Sequence, residues 1–283
     1  SKWDQPGFSL GMWSNGRAML AKLGLADQFD SHCRALKYLR IADGKGKLLR
    51  QYDLRDFYRD FGLGYAHISR EDLHNWLLNI VNQESIHMGC SVDSLTHTED
   101  GVKVACSNGV SDVYDLVVGA DGVHSKIREI CFKKDIEQYE DLRVWWTWID
   151  ASFSKRLVIT QYVEPGNFII VFNEGDKTLA GMTAVADHRI WDDAQSRIER
   201  LKEIFKDESV LIPEALDNTQ KQEIIPTDLA TVTMKQWYKN NVVLLGDAAH
   251  AMEPFGGLGG SMALEDAYVL ASELMQKSET EHL

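Results

Sequence analysis

Only 4 cysteines occur in the 283 residues, and Cys33, Cys90, Cys106 and Cys131 form neither a C-x-x-C pair nor a group with clustered histidines. That scarcity argues against a disulfide scaffold and against a structural zinc site, and makes a reducing, cytoplasmic setting the expectation, with no metal. Proline is equally rare, 5 residues against 21 glycines, so no Pro-rich linker divides the chain. No apolar run approaches the roughly 18 residues of a membrane span, and the opening SKWDQPGFSL has no signal-peptide core. The expectation is a protein that is not exported and has no stable membrane anchor. Positive charge is in deficit too: 30 basic residues face 43 acidic ones, for a net charge of -13. Such a chain repels nucleic acid and anionic lipid unless a basic patch is concentrated. The densest basic stretch, Lys126 to Arg128 with Lys133 and Lys134, is short and interleaved with acids, and reads as solvated surface.

What is present is an ordinary globular composition, 44% hydrophobic and 26% charged. The length suits two intimately joined domains, or one large α/β domain with an inserted sheet. A helix is expected from Ser14, capped by Ser14 or Asn15, with Met19, Leu20 and Leu23 on its apolar side and Gly24 as its stop. Leu36 to Ile41 and Lys47 to Tyr52 read as a hairpin around an Asp-Gly turn. Ser69 with Asp72 resembles a capping box, and Leu73, Trp76, Leu77, Ile80 and Val81 would line one face of a helix ending near Gln83. Two strands flank Glu99-Asp100-Gly101, and Tyr114 to Val118 reads as one buried parallel strand stopping at Gly119. Four β runs follow, Val144 to Ile149, Leu157 to Val163, Asn167 to Phe172 and Leu179 to Val185, as in an antiparallel sheet inserted into an α/β scaffold. Then come an amphipathic helix with Ile198, Leu201 and Phe205, a second buried strand from Asn241 to Leu245, and a glycine-rich stretch. The last helix carries Ala263, Ala267, Leu270 and Leu274 as its stripe.

Two motifs carry chemistry. In Asp115-Leu-Val-Val-Gly-Ala-Asp-Gly-Val-His-Ser-Lys-Ile-Arg128 a strand breaks at Gly119 and turns at Asp121-Gly122 into a helix. A carboxylate at the carboxyl end of a parallel strand is where α/β sheets bind nucleotides, but Asp-Gly is also a common turn that caps the next helix, and both readings stay open. In the second, running from Val242 to Asp266, a strand ends at Gly246-Asp247, a loop holds Pro254, and Gly256, Gly257, Gly259 and Gly260 open onto a helix. Asp247 can accept hydrogen bonds from ribityl or sugar hydroxyls. The glycines let backbone lie against a flat ring, and the helix dipole favours negative charge at the same spot. One or two glycines would suit a simple helix cap; strand, Gly-Asp, Pro and four glycines in order call for a ligand.

Together these motifs resemble the class A FAD-dependent monooxygenases of the p-hydroxybenzoate and salicylate hydroxylase type. The G-A-D-G-x-x-S-x-x-R pattern stands at Gly119 to Arg128, and G-D-A-A-H-x-x-x-P-x-x-G-x-G at Gly246 to Gly259, followed by Glu265-Asp266-Ala267. Leu10 to Arg17 is similar to the opening of the family's first helix, and Ile68 to Leu73 to the segment that brings an Arg near the FAD pyrophosphate. The resemblance implies an α/β fold, a glutathione-reductase-type, Rossmann-like FAD domain at 1–34, 66–132 and 231–283, and an inserted, mainly antiparallel substrate domain at 35–65 and 133–230. It implies FAD contacts from Arg70, Val92, Asp121, Gly122, Gly246, Asp247, Pro254, Gly257, Leu258, Gly259 and Gly260, and a substrate pocket with Trp146, Trp148, Pro254 and Phe255. Trp146 and Trp148 share one face of a strand and suit either a core or an aromatic pocket.

The activity implied is hydroxylation of a small, typically aromatic substrate through a C4a-hydroperoxyflavin, with NADH or NADPH and oxygen, by a monomer or homodimer with no nucleic-acid partner. No side chain is implied as an acid/base catalyst; His250 and His124 are read as packing or capping residues. The family's opening G-x-G-x-x-G turn and its later helices have no counterpart here, so the chain is expected to be either part of a larger enzyme or a short form without that turn. The alternatives are a related flavin halogenase, whose W-x-W-x-I-P motif Trp146 to Asp150 matches only in part, a double-bond reductase, or a non-catalytic remnant that has lost FAD.

Overall fold

Val, Ile, Trp and Phe are concentrated in short runs after residue 143, Val144 to Ile149 and Phe168 to Phe172 among them, and in the structure, a computed structural model, these runs are strands of one large sheet. The structure describes residues 8–61, 64–132, 137–150, 158–164, 167–173, 177–206, 216–217, 219 and 224–280. Leu157, Lys133 and Lys134 from the readings above lie outside them. The fold is mixed α/β, with mainly antiparallel sheets, two parallel strand pairs among the described residues, and helices, and the chain divides into two units. One comprises 1–31, 68–138 and 230–283, the other 32–67 and 139–229.

The second unit is built on a seven-stranded sheet in the order Ile225–Val232, Glu137–Asp150, Lys177–Val185, Asn167–Asn173, Val158–Glu164, Tyr38–Ala42, Leu48–Asp53. Its neighbours with a described register are antiparallel except Tyr38–Ala42, which runs parallel to Val158–Glu164. The expected hairpin is present, its turn held by Asp43 Oδ1, which accepts the Lys45 and Lys47 amides at 3.1 and 2.8 Å. The helix Arg197–Ile204 covers one face of the sheet, and Ile198, Leu201 and Phe205 join Trp145, Ile169, Val171, Met182 and Ala184 in a single core. Period 2 in the strands meets period 3.6 in the helix there, which is why both patterns are readable from sequence.

The first unit contains a three-stranded meander, Val92–Thr98, Gly101–Cys106 and Ser111–Tyr114, and a second small sheet in which Val117–Gly119 lies parallel to Val242–Leu244. The run Tyr114 to Val118 is thus two strands and not one: Tyr114 closes the meander, while Val117 begins the parallel pair. Val118 is 43% exposed, so the pair is not covered on both faces as its apolar sequence suggests. Beneath it Val102, Ile127, Cys131, Val242, Leu244, Ala248 and Ala249 form the core, with Val92 packed against them. All four cysteines are free, and burial pushes the Cys131 thiol up, away from nucleophilic character.

Helix boundaries differ from expectation at their ends. Ser14–Lys22 is capped by Trp13 without a side-chain bond, and Ser14 and Asn15 lie inside the helix. Gly24 does end it, at φ 76°. Ser69 caps Arg70–Ile80 as expected, accepting the Asp72 amide at 3.4 Å, but the helix stops at Ile80 and Gln83–Ser85 forms a separate turn. Leu23, Ile80, Val81 and Leu274, expected on buried stripes, are exposed. Each sits at or beyond the last turn of a helix or on a face that no described element covers, where periodicity continues after packing has stopped. Among the described residues no helix is long and apolar enough to cross a membrane.

Candidate functional site: two carboxylates beside a parallel strand pair

Both chemical motifs leave the same sheet. Val242, Val243 and Leu244 pair with Val117, Val118 and Gly119, and the Leu245 amide donates to Gly119 O at 2.9 Å. Because the strands are parallel, their carboxyl ends coincide, and Asp121 and Asp247 follow at one edge, the position from which α/β sheets present residues to ligands. Gly119 must be glycine for a packing reason: a Cβ there would stand 2.6 Å from the Leu244 side chain and 2.9 Å from Ile127.

Asp121 is exposed and its carboxylate is engaged with the helix Lys126–Cys131. Oδ2 accepts the Lys126 and Ile127 amides at 2.7 and 3.1 Å, and Oδ1 accepts the Ser125 hydroxyl. The capping role of the Asp-Gly turn is therefore realised, with Gly122 at φ 84°. Arg128, 4% exposed, ties the two motifs together, its guanidinium donating to Val123 O in the first and to Ala248 O, at 3.0 Å, in the second. The motif pattern marks Arg128 but says nothing of its partners, since one of them lies 120 residues away.

In the second motif Gly246 turns at φ 57° and ψ -140°, a conformation that a residue with a Cβ adopts only under strain. Asp247 then opens the short helix Asp247–His250. Its carboxylate is exposed and makes no hydrogen bond among the described residues. Oδ1 lies 3.7 Å from where a Cβ on Gly259 would stand, so an unpaired acceptor faces the glycine-rich start of the helix Gly259–Thr280. Gly257, at φ 59°, supplies the left-handed residue that lets the Pro254–Gly256 turn lead into that helix. Pro254 and Leu258 are exposed, while Phe255, Gly257, Gly259 and Gly260 are half-buried. The first amides of a helix have no partner within it, so this turn is a set of donors beside an acceptor.

Residues outside the expected FAD contacts hold this loop in place. Ser261, fully buried, accepts the Trp13 amide at 3.0 Å, and Trp13 Nε1 donates to Gly256 O at 2.8 Å. Asp266 accepts the Gly246 amide at 2.9 Å and pairs with His250 Nε2 at 2.6 Å. Arg70 is exposed at the first turn of its helix, and Val92 is half-buried at the start of its strand.

In the second unit the strand Glu137–Asp150 sorts its tryptophans by parity. Trp145 points into the helix-covered core at 3% exposure, whereas Trp146 and Trp148 are half-buried on the opposite face. Trp146 lies over Gly181 and stacks on Phe172 with ring centroids 6.3 Å apart, and Phe172 in turn meets His67 at 4.5 Å. A Cβ at Gly181 would stand 2.5 Å from the Trp146 ring. Gly181→Ala is therefore expected to tilt that ring, cost about 1–3 kcal/mol in stability, and change the near-ultraviolet circular dichroism while the far-ultraviolet spectrum stays as it is. Asp141, Asp187 and His188 bring three ligand-type groups within 4.8 Å of one another. Both Asp187 oxygens are engaged by Arg189, which holds its carboxyl below the usual range, and the trio reads as a surface ion-pair group.

Comparison with known proteins agrees with these motifs. A family model described as an FAD binding domain matches residues 17–279. The aurachin C monooxygenase/isomerase of Stigmatella aurantiaca is 30% identical over 277 residues, covering 96% of this chain and 72% of that protein. A flavin-dependent monooxygenase of Legionella longbeachae is 28% identical over 262 residues, 89% of this chain and 67% of that one. In fold, the chain is similar to Klebsiella pneumoniae HpxO complexed with FAD and uric acid, with a TM-score of 0.86 at 22% identity, over 95% of this chain and 71% of that one. A family match across nearly all of the described residues, joined to two intact motifs on one parallel strand pair, establishes that the chain belongs to the FAD-binding class A flavoprotein monooxygenases and is an FAD-dependent monooxygenase.

Proposed function

We propose that this monooxygenase holds FAD on its first unit, chiefly through Asp247 and the glycine-rich turn Gly257 to Gly260, and hydroxylates a small, flat aromatic compound held on the Trp146 and Trp148 face of its second unit. The observation that carries the reading is the Asp247 carboxylate, exposed, without a partner among the described residues, and opposite a helix start whose amides are donors. An acceptor-only group and a row of amide donors suit a ligand that presents hydroxyls at one place and carbonyl and nitrogen acceptors at another, as the ribityl chain and isoalloxazine ring do. Glycine at 257, 259 and 260 leaves the backbone open to a flat ring. These residues fit FAD.

When bound, FAD reduced by NADH or NADPH supplies the activation of oxygen. The contribution of this chain is placement: Asp247 accepts cofactor hydroxyls, the amides at the start of Gly259–Thr280 and its dipole favour negative charge developing nearby, and Arg70 offers its charge to phosphate. Asp121 contributes through the helix it caps and through the lone pairs its caps leave open. Pro254 and Phe255 border the ring site from the loop, Gly122 and Gly246 shape the two turns, Leu258 lines the approach, and Val92 packs beside the adenosine end. The half-buried Trp146 and Trp148 give a planar apolar wall that suits an aromatic ring. Support for a flat substrate also comes from HpxO, whose structure contains uric acid, itself a planar conjugated ring.

Asp247→Ala is expected to raise the FAD dissociation constant about 10- to 100-fold, the worth of hydrogen bonds to a charged acceptor, with the far-ultraviolet spectrum unchanged because the side chain makes no hydrogen bond among the described residues. Titrating apoprotein with FAD by flavin fluorescence measures it. A constant within twofold of the parent's would remove Asp247 from the cofactor site.

A further inference from the structure

His250 and Asp266 form a pair that the cofactor reading does not use. We propose that Asp266, held in place by His250, is a positioning residue that sets the direction of the Asp247 carboxylate and thereby the affinity and orientation of bound FAD. The proposal rests on the reading of Asp247 given above.

The geometry is that of a latch. Asp266 Oδ2 accepts two hydrogen bonds at once, from the Gly246 amide at 2.9 Å and from His250 Nε2 at 2.6 Å. The Gly246 amide belongs to the peptide immediately before the residue at φ 57°, so the carboxylate grips the turn at the point where its backbone is least ordinary and one residue before Asp247. His250 closes the same short helix that Asp247 opens. Both ends of the segment carrying Asp247 are thus tied to one oxygen atom.

That oxygen is carried by the helix whose first turn faces Asp247. Gly259, Ala263 and Asp266 stand at i, i+4 and i+7, one stripe of a helix. The observed contacts follow this stripe: Gly259 lies opposite Asp247 Oδ1, a Cβ on Gly246 would stand 3.1 Å from Ala263 Cβ, and Asp266 takes the Gly246 amide. The Gly-Asp turn is laid along one face of the helix and pinned two turns down from the amides that face the ligand.

His250 is built for holding and not for proton transfer. Its side chain is 11% exposed, its ring packs on Trp237 with centroids 4.8 Å apart, and Nδ1 is buried with no hydrogen bond among the described residues. Nε2 therefore carries the proton in the arrangement seen, donating to Asp266 and leaving that carboxylate oxygen aligned with the turn. With Asp266 removed, His250 and the Gly246 amide both lose their acceptor and the turn is free to rotate away from Gly259.

The test is a double-mutant cycle in the full-length enzyme, stripped of flavin and titrated with FAD, with the visible circular dichroism of the bound flavin as a second signal. Asp266→Ala is expected to weaken FAD binding about tenfold and to alter the flavin dichroism, with Asp266→Asn, which keeps an acceptor for the amide, restoring part of both. In the Asp247→Ala background, Asp266→Ala is expected to add less than twofold, because its effect runs through the missing carboxylate. If Asp247→Ala weakens binding while Asp266→Ala leaves it unchanged, or if the two effects multiply independently, the latch is refuted and the Asp247 reading stands. If Asp247→Ala itself changes nothing, both fall. A purely structural role for Asp266 would lower the melting temperature equally in both backgrounds and leave the flavin dichroism of the bound fraction as in the parent.

Discussion

Arg128→Leu is expected to destabilise the protein by about 3–5 kcal/mol, measured by urea unfolding of the apoprotein, a large part of the 5–15 kcal/mol typical of a whole domain. The guanidinium is 4% exposed and donates to Val123 O in one motif and Ala248 O in the other. Leucine fills much of the volume but leaves both carbonyls without that donor, and hydrogen bonds from a charged donor are worth about 1.5–3 kcal/mol each. Arg128→Lys is expected to recover only part of the loss, since an ammonium on a flexible stem does not reproduce the planar fork that spans two carbonyls. The two motifs should loosen together, so FAD affinity should fall with stability. A loss under about 1 kcal/mol in Arg128→Leu would show that the bridge between the motifs contributes little.

Gly16→Val is the second substitution with a large expected effect. A Cβ at this position would stand 2.3 Å from Met12 Sδ and 2.8 Å from the Cα of Ser261. Met12 is flexible and could yield, but the Ser261 backbone belongs to the helix Gly259–Thr280 and cannot. The helix Ser14–Lys22 would have to retreat, breaking the bond from the Trp13 amide to the buried Ser261 hydroxyl and drawing Trp13 Nε1 from Gly256 O. Overpacking of this kind costs about 1–3 kcal/mol, and the lost buried hydrogen bond about 1 kcal/mol more. At about 2–4 °C per kcal/mol for a chain of this size, the melting temperature should drop by roughly 5–15 °C. Gly16→Ala should show a smaller drop of the same sign. An unchanged melting temperature in Gly16→Val would mean that the two helices do not need their close approach.

The parts of the site legible in the sequence are those whose physics is local. Gly246-Asp247 at a strand end, Gly257 before a helix and Gly122 after Asp121 are marked because their backbones sit at positive φ, where glycine is the residue that fits. Ser69 declares a helix start because a cap acts across three residues, whereas the Ser125 cap of Lys126–Cys131 emerged only in the structure. The strands of the large sheet declare themselves as successive β runs with turns between, and their helix through Ile198, Leu201 and Phe205. The same local logic misplaced one strand: Tyr114 to Val118 reads as continuous because nothing nearby says that Tyr114 pairs with Val102 and Val117 with Val242. It also left open which tryptophan of the strand enters the core, since that depends on the face Arg197–Ile204 covers, and Trp145 is the one packed beneath that helix.

By itself, then, the sequence determined the family, the cofactor class, most of the longer strands and helices and the two turns that present carboxylates, since each depends on residues within a few positions of one another. Only the tertiary structure decided which strand lies beside which, that Arg128 joins the motifs across 120 residues, that Trp13 meets Ser261 across 248, and that Asp266 takes the Gly246 amide. Such partners are selected by the register of the sheet and the rotation of packed helices. A hydrogen bond across a hundred residues leaves no period and no spacing in the chain, because its cost and its reward arise only once the elements have come together.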